Sequence, residues 1–271
     1  MAAIVPAGKT IWLGGLFSHV DGSARANLAG VTTKGALLAA APNPDQLVLT
    51  LLGSGSTLYV GGHFQHLGGQ PRAFLGAISA KTGALLPWDP GADGDVRAMA
   101  GKKTLYVAGA FAHLHGQLRA GVGALSPKTG ALAAWDPAPT GGIVGSLAVS
   151  GSTVYAGGTF TDIGGAARNN VAALSAKTGL ATAWAPAVDG LVETVAATSK
   201  AVYVGGLFTH AGGLPRSYLA SLDPKTGAAT SWDPEPSSVA TTIVAGKKNV
   251  AVTGFFYAVG TTARPYLAVF G

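Results

Sequence analysis

Four histidines stand two residues after a recurring phenylalanine: His19, His66, His113 and His210. Asp162 and Ala258 hold the same place in two further copies. Neutral imidazole is the commonest protein ligand for transition metals, so a ring of histidines invites a metal reading. Repeat geometry speaks against one shared ion. Equivalent positions of successive repeats lie many ångströms apart, whereas a ligand sits about 2 Å from its metal. The expected role is to tether a loop through a hydrogen bond, with no metal and no cofactor. His63 and His115 add to His66 and His113, which makes the second and third copies the expected place for an asymmetric ligand site.

Two further residue types recur with chemistry attached. Trp88, Trp135, Trp184 and Trp232 each end a segment reading WDP or WAP. Aromatic faces on a wet surface suit sugar rings; the competing expectation is that these rings cover seams between repeats. An arginine follows each phenylalanine by eight positions: Arg25, Arg72, Arg119, Arg168, Arg216 and Arg264. A residue present in every copy is expected to be architectural, its planar fork bonding loop carbonyls or the aspartate of a WDP. Trp88, Trp135, Arg72 and Arg119 therefore join His63, His66, His113 and His115 as candidate ligand contacts.

Catalytic constellations are scarce. The chain has no G-x-S-x-G elbow, no HExxH, no P-loop and no EF-hand loop. Asp89, Asp93 and Asp95 in DPGADGD resemble a calcium loop but lack its bidentate glutamate. With Glu193 and Glu235 the only glutamates, a glycosidase pair would need aspartates from separate loops. The absence of cysteine removes disulfides, thiolate metal sites and a cysteine nucleophile.

These residues must be positioned by a repeat. Its second segment reads TIWLGGLF, TLYVGGHF, TLYVAGAF, TVYAGGTF, AVYVGGLF and NVAVTGFF. The closing phenylalanines are Phe17, Phe64, Phe111, Phe160, Phe208 and Phe256, a period of about 48 residues. In the third copy VRAMA, TLYVAGAF, AGVGALS and ALAAWD read as four strands, with turns at GKK and PKTG and a longer connection AHLHGQLR. Units of this length with four strands are the signature of propeller blades. A helical solenoid is excluded by the Gly-Gly pairs inside each unit. The expectation is an all-β, six-bladed β-propeller spanning residues 1–271 as one domain. The chain stops after YLAVFG, so the last blade is expected to have three strands. Two copies depart from the pattern, with Ala40 where tryptophan is due and Thr253 for the first glycine of the pair.

The pattern LYVGGxF, GGxxR, LAxL and KTGxxxxWxP resembles the delta-60-type propeller repeats of bacterial, often secreted, multidomain proteins. It is also similar to the propeller of fungal cortical polarity-marker proteins. The resemblance covers almost the whole chain. It implies a propeller fold and an extracellular or cell-surface location. It names no ligand.

Composition narrows the class. Only 11% of residues are charged, which excludes a disordered polyelectrolyte. No apolar run approaches the roughly 18 residues of a membrane span. MAAIVPAGKT is no signal peptide, so the protein is either cytosolic or separated from its leader.

The charges divide between two faces. All eleven lysines fall at or beside the short turns, with Asp223 the only acid there, while most acids belong to the opposite, long-loop face. The net charge of +6 concentrates on the lysine face, which reads as solvated turns or as a docking face for an anionic surface. Nucleic acid is disfavoured, because the lysine turns carry almost no aromatic residues for stacking. The outer segments ALLPWD, ALAAWD, LATAW and AATSW carry no lysine or arginine, so their edges are candidates for pairing with another chain. The reading that follows is a non-catalytic module binding a glycan polymer or a protein through its loop face. The alternatives are a structural subunit attached by the blade rim and an enzyme with a histidine-containing loop-face site.

Overall fold

The computed structural model describes residues 2–40 and 42–271. They form strands and turns throughout, and no helix is long and apolar enough to cross a membrane. The chain divides into two compact units, Met1–Ala134 and Trp135–Gly271, each carrying three copies of one antiparallel sheet.

In the first unit, sheet one is Ala3–Ala7, Thr10–Gly14 and Leu28–Thr32. Sheet two is Val48–Ser54, Thr57–Gly62 and Leu75–Ser79, and sheet three is Asp95–Ala100, Leu105–Ala110 and Val122–Leu125. The second unit repeats the plan. Sheet four is Val144–Ser150, Thr153–Gly158 and Val171–Ser175, and sheet five is Leu191–Ala197, Val202–Leu207 and Leu219–Leu222. Sheet six is Ala240–Ala245, Val250–Gly254 and Leu267–Phe270. The second strand lies in the middle of every sheet.

The Gly-Gly pair explains itself in this geometry. In sheets two to six a bulge interrupts the first strand, as between Val48 and Thr50 or Val192 and Thr194. The bulge pushes a carbonyl against the second glycine. A Cβ there would lie 2.2 Å from Leu47 O at Gly62 and 2.0 Å from Ile143 O at Gly158. The first glycine admits the neighbouring sheet instead: a Cβ on Gly61 would meet Val96 at 2.8 Å, and one on Gly157 would meet Val192 at 2.7 Å. One glycine serves the bulge and the other serves packing between sheets.

Two parts of each unit differ from the four-strand reading. The outer segment joins the third strand through a single bridge, as Ile78 to Leu85, Leu125 to Leu132, Leu174 to Ala181 and Leu222 to Ala229. Proline and the tryptophan that turns inward end the pairing there. The long connection after the second strand is itself folded: His66–Leu67 pairs with Gln70–Pro71, and His113–Leu114 with Gln117–Leu118.

Within each unit, apolar cores fill the seams between successive sheets. Leu58, Val60, Phe64, Leu67 and Ile78 pack with Trp12 and Leu28 between sheets one and two. Val202, Val204 and Phe208 pack with Tyr155 and Trp184 between sheets four and five. The first copy, which has Ala40 in place of the outer tryptophan, compensates locally. Tyr59 O–H donates to Pro127 O of the next sheet at 2.7 Å. At the equivalent place in sheet one stands Trp12, whose Nε1–H donates to Ala80 O at 3.0 Å. Its ring comes close to Gly83, as does Ala40, where the missing tryptophan would have stood.

Candidate interaction surfaces

Each sheet has a short-turn end and a hairpin end, and the candidate residues divide between them. At the hairpin end three of the recurring histidines, His66, His113 and His210, are latches, while His19 meets only the Ser18 hydroxyl. Asp93 Oδ1 accepts the N–H groups of Ala112 and His113 at 2.8 Å each, while Oδ2 meets His113 Nδ1 at 2.8 Å. Asp45 does the same for Gln65 and His66, and Asp189 for Thr209 and His210. Where the histidine is replaced its partner changes too. Asp162 faces Thr140, and at Ala258 the Ser237 hydroxyl accepts the backbone N–H of both Tyr257 and Ala258.

These contacts set the acidity of the carboxylates. The His113 backbone bond leads in holding Asp93 below the ordinary aspartate range. At Asp45 and Asp189 desolvation is the largest single influence and pushes upward, but the combined hydrogen bonds outweigh it and the carboxyls are lowered. The latch partners were legible in the sequence as acids recurring at Asp45, Asp93 and Asp189, one repeat or two apart. Sequence reasoning missed them because they precede their sheet and lie some twenty residues from their histidines.

The four candidate histidines do not converge on one centre. His66 engages Asp45 and His113 engages Asp93. His63 reaches across a seam to Asp95 of sheet three, which also lies 3.6 Å from Arg97. His115 occupies a left-handed turn position at φ +51°. Among the described residues no group of three or more histidines and carboxylates is arranged to hold a metal.

The tryptophan placement corrects the loop-face expectation. Trp88 and Trp135 are buried, and their indole N–H groups donate to Ser126 O and Ser175 O at the start of the next sheet's short turn. Trp184 donates to Asp223 O in the same manner. These rings seal seams at the short-turn end and present no platform at the hairpin end. Burial of the large indole with its one donor satisfied is the more stable outcome.

The arginines are likewise committed. Arg72 donates from Nη1 to Pro71 O at 2.7 Å and from Nη2 to Leu86 O at 3.3 Å. Arg119 does the same to Leu118 O and Ala133 O. Arg72 and Arg216 add ion pairs to Asp89 and Asp233 of the WDP segments, at 3.3 and 2.8 Å. The planar guanidinium thus ties hairpin and outer segment together in five of the copies.

A strained position accompanies the arginine. Two residues on, Asn27, Phe74, Asn170, Tyr218 and Tyr266 all have φ between +62° and +67°. Asparagine tolerates this region, whereas aromatic residues seldom adopt it. Asn27 and Asn170 use their side chains to bond Pro44 O and Val188 O. Phe74 instead sets its ring edge-on to His63, with centroids 6.1 Å apart.

At the short-turn end all eleven lysines are exposed. Grooves open between neighbouring sheets there. One of about 600 Å³ is lined by Ser54, Tyr59, Trp88, Lys102, Lys128 and Thr129. Another of about 660 Å³ is lined by Lys200, Tyr203, Lys247 and Lys248, and a third of about 550 Å³ by Lys9 and Lys81. No acidic residue lines any of the three.

No family profile and no curated protein sequence matches this chain. Solved structures do. A chain of the mitotic checkpoint complex superposes with a TM-score of 0.64 at 16% identity, over 93% of this chain and 71% of that one. The Pan2 WD40 domain of Neurospora crassa superposes with a TM-score of 0.57 at 13% identity, over 93% and 74%. At such identities the likeness is one of fold, and the fold is the β-propeller.

Proposed function

We propose that this chain is a non-catalytic, six-bladed propeller module that binds a protein partner through the hairpin ends of its sheets. One observation carries the reading. The phenylalanine closing the second strand is the same in every copy, and in five of them it is buried: Phe64, Phe111, Phe160, Phe208 and Phe256. The residue just before it varies from copy to copy and is exposed. In the first unit it is Leu16, His63 and Ala110, and in the second Thr159, Leu207 and Phe255. Leu16, Leu207 and Phe255 are 74%, 51% and 68% exposed. A constant frame with a variable, partly apolar surface at one end suits recognition by a rigid scaffold. The threefold Asp–His latch and the scattered histidines favour binding over catalysis.

The reading is tested by changing Leu207 and Phe255 to serine and measuring capture of partners from an extract of the source. A stoichiometric partner retained by a Lys102→Glu, Lys128→Glu variant and lost by the serine variant supports it. Loss in neither, or in the lysine variant alone, overturns it.

A second reading applies to the other end. The lysine-lined grooves, free of acids, favour an anionic polymer such as an acidic polysaccharide, with Trp88 and Tyr59 at the groove floor. Lys102→Glu, Lys128→Glu should abolish such binding, and raising salt should weaken it in the parent chain. The repeat motif supports assigning the module to the delta-60-type propellers and, with them, to the cell exterior.

A further inference from the structure

One arginine of the repeat has lost its carboxylate. In sheets two and five the terminal nitrogen Nη1 serves a carbonyl and an aspartate together. Arg72 Nη1 donates to Pro71 O at 2.7 Å and meets Asp89 Oδ2 at 3.3 Å. Arg216 Nη1 donates to Pro215 O at 2.8 Å and meets Asp233 Oδ2 at 2.8 Å. At sheet four Arg168 keeps the backbone half of this arrangement, with Nη1 on Ala167 O at 2.8 Å and Nη2 on Thr182 O at 2.7 Å. The aspartate is gone. The outer segment reads WAP, and Ala185 stands where Asp89 and Asp233 stand. Among the described residues no carboxylate pairs with Arg168. Each terminal nitrogen carries two N–H groups, so one on Nη1 is left without an acceptor there.

A pocket of about 330 Å³ opens at this place, wholly within the second unit. Arg168 and Ala185 line it, and Val171, Pro186 and Val188 give it apolar walls. Asn169 lines it too. In the other copies the residue after the arginine is Ala26, Ala73, Ala120, Ser217 or Pro265, so this copy alone sets an amide beside the guanidinium. Loss of the internal carboxylate and gain of a donor thus coincide. Asp189 and His210 complete the lining, but the charge of Asp189 is already met. Its Oδ1 accepts the N–H groups of Thr209 and His210, and its Oδ2 meets the Thr209 hydroxyl and His210 Nδ1.

We infer that this pocket binds a free small carboxylic acid with a compact apolar body, its carboxylate taking the place that Asp89 and Asp233 fill in their own copies. Arg168 Nη1 supplies a charge-assisted bond and Asn169 a second donor, while Val171, Pro186 and Val188 receive the body. The volume stands at the lower end of small-molecule pockets, and apolar walls with a few polar groups are their usual lining. An acidic side chain of a partner, with its one or two methylenes, would leave those walls bare. The site does not rest on the partner reading, since neither Leu207 nor Phe255 lines it.

The probe is benzoate, titrated calorimetrically into the full chain near neutral pH, with benzamide as its uncharged isostere. Saturable binding of benzoate is expected, with benzamide weaker by about tenfold or more. Ala185→Asp restores the internal carboxylate in a position that Asp89 and Asp233 show the repeat accepts, so the variant should fold and bind benzoate about tenfold more weakly. Asn169→Ala alters an exposed side chain and should weaken binding about threefold. Circular dichroism checks that both variants are folded. Absence of saturable binding, equal binding of benzamide, or binding indifferent to Ala185→Asp overturns the inference. Binding of the blocked peptide acetyl-Gly-Asp-Gly-amide in preference to benzoate would place the carboxylate on a partner protein and overturn it too.

Discussion

Sheets five and six pair the same three strands, yet they sit in different surroundings. Sheet five has a neighbour on each flat face and an outer segment on its edge. Sheet six packs against sheet five through Leu219, Ile243, Val252 and Phe256, while Val244, Thr253, Leu267 and Val269 on it are exposed. The repeat is thus half a structure: each copy offers one face and one edge that only another segment can satisfy. Where a Cβ would strike the next sheet, as at Gly61 and Gly205, the copy keeps glycine, while Thr253 at the matching place in sheet six is exposed.

The contrast can be broken by substitution, in order of size. Trp184 is buried at the seam between sheets four and five, and Trp184→Ala should cost about 4 kcal/mol. Trp232 is half-buried against Phe270, so Trp232→Ala should cost clearly less; urea melts of both measure the gap. Next, a Cβ at Gly205 would stand 2.8 Å from Ala240 O and 2.9 Å from Thr194. Gly205→Val should destabilise by about 3 kcal/mol, whereas Thr253→Val at the equivalent exposed place should stay within about 0.5 kcal/mol.

Arginine sharpens the comparison further. Arg216→Ala strips the Thr230 carbonyl and Asp233 of their partner and should cost about 2 kcal/mol. Arg264→Ala should leave stability within about 0.5 kcal/mol, since its side chain is exposed. Equal losses in thermal melts would remove the distinction between the two sheets.

The smallest effect is electrostatic. Asp189 has a folded-state pKa below its ordinary 3.8, so its latch contributes stability above that value and loses it as pH falls through the lower, folded one. The parent should therefore lose stability progressively below about pH 4, and Asp189→Asn should flatten that slope. Sheet six, latched by Ser237, has no such titrating partner, so hydrogen exchange at Tyr257 and Ala258 should be less sensitive to acid than at Thr209 and His210.

Much of this was legible before any coordinates. The period, the strand order around each Gly-Gly pair, the tethering role of the histidines and the structural role of the arginines all follow from residues that recur every 48 or so positions. The tryptophans show where such reading stops. Trp88 and Trp135 follow their strand segments in the sequence like ligand platforms at its far end, but each indole turns back to donate to the next sheet's short turn. That choice depends on the distance between sheets, which no spacing within one copy encodes. The latch carboxylates escaped for a similar reason, since Asp93 and His113 belong to separate segments that only the folded hairpin brings together.

The sequence by itself determined the repeat, its all-β character, the segregation of lysines to the short turns and the absence of cysteine chemistry, because each of these is local or periodic. The tertiary structure alone decided which side chains are spent on seams and which remain exposed. Burial is a property of what lies opposite a residue, so the same arginine is a clamp at Arg216 and an open hand at Arg264.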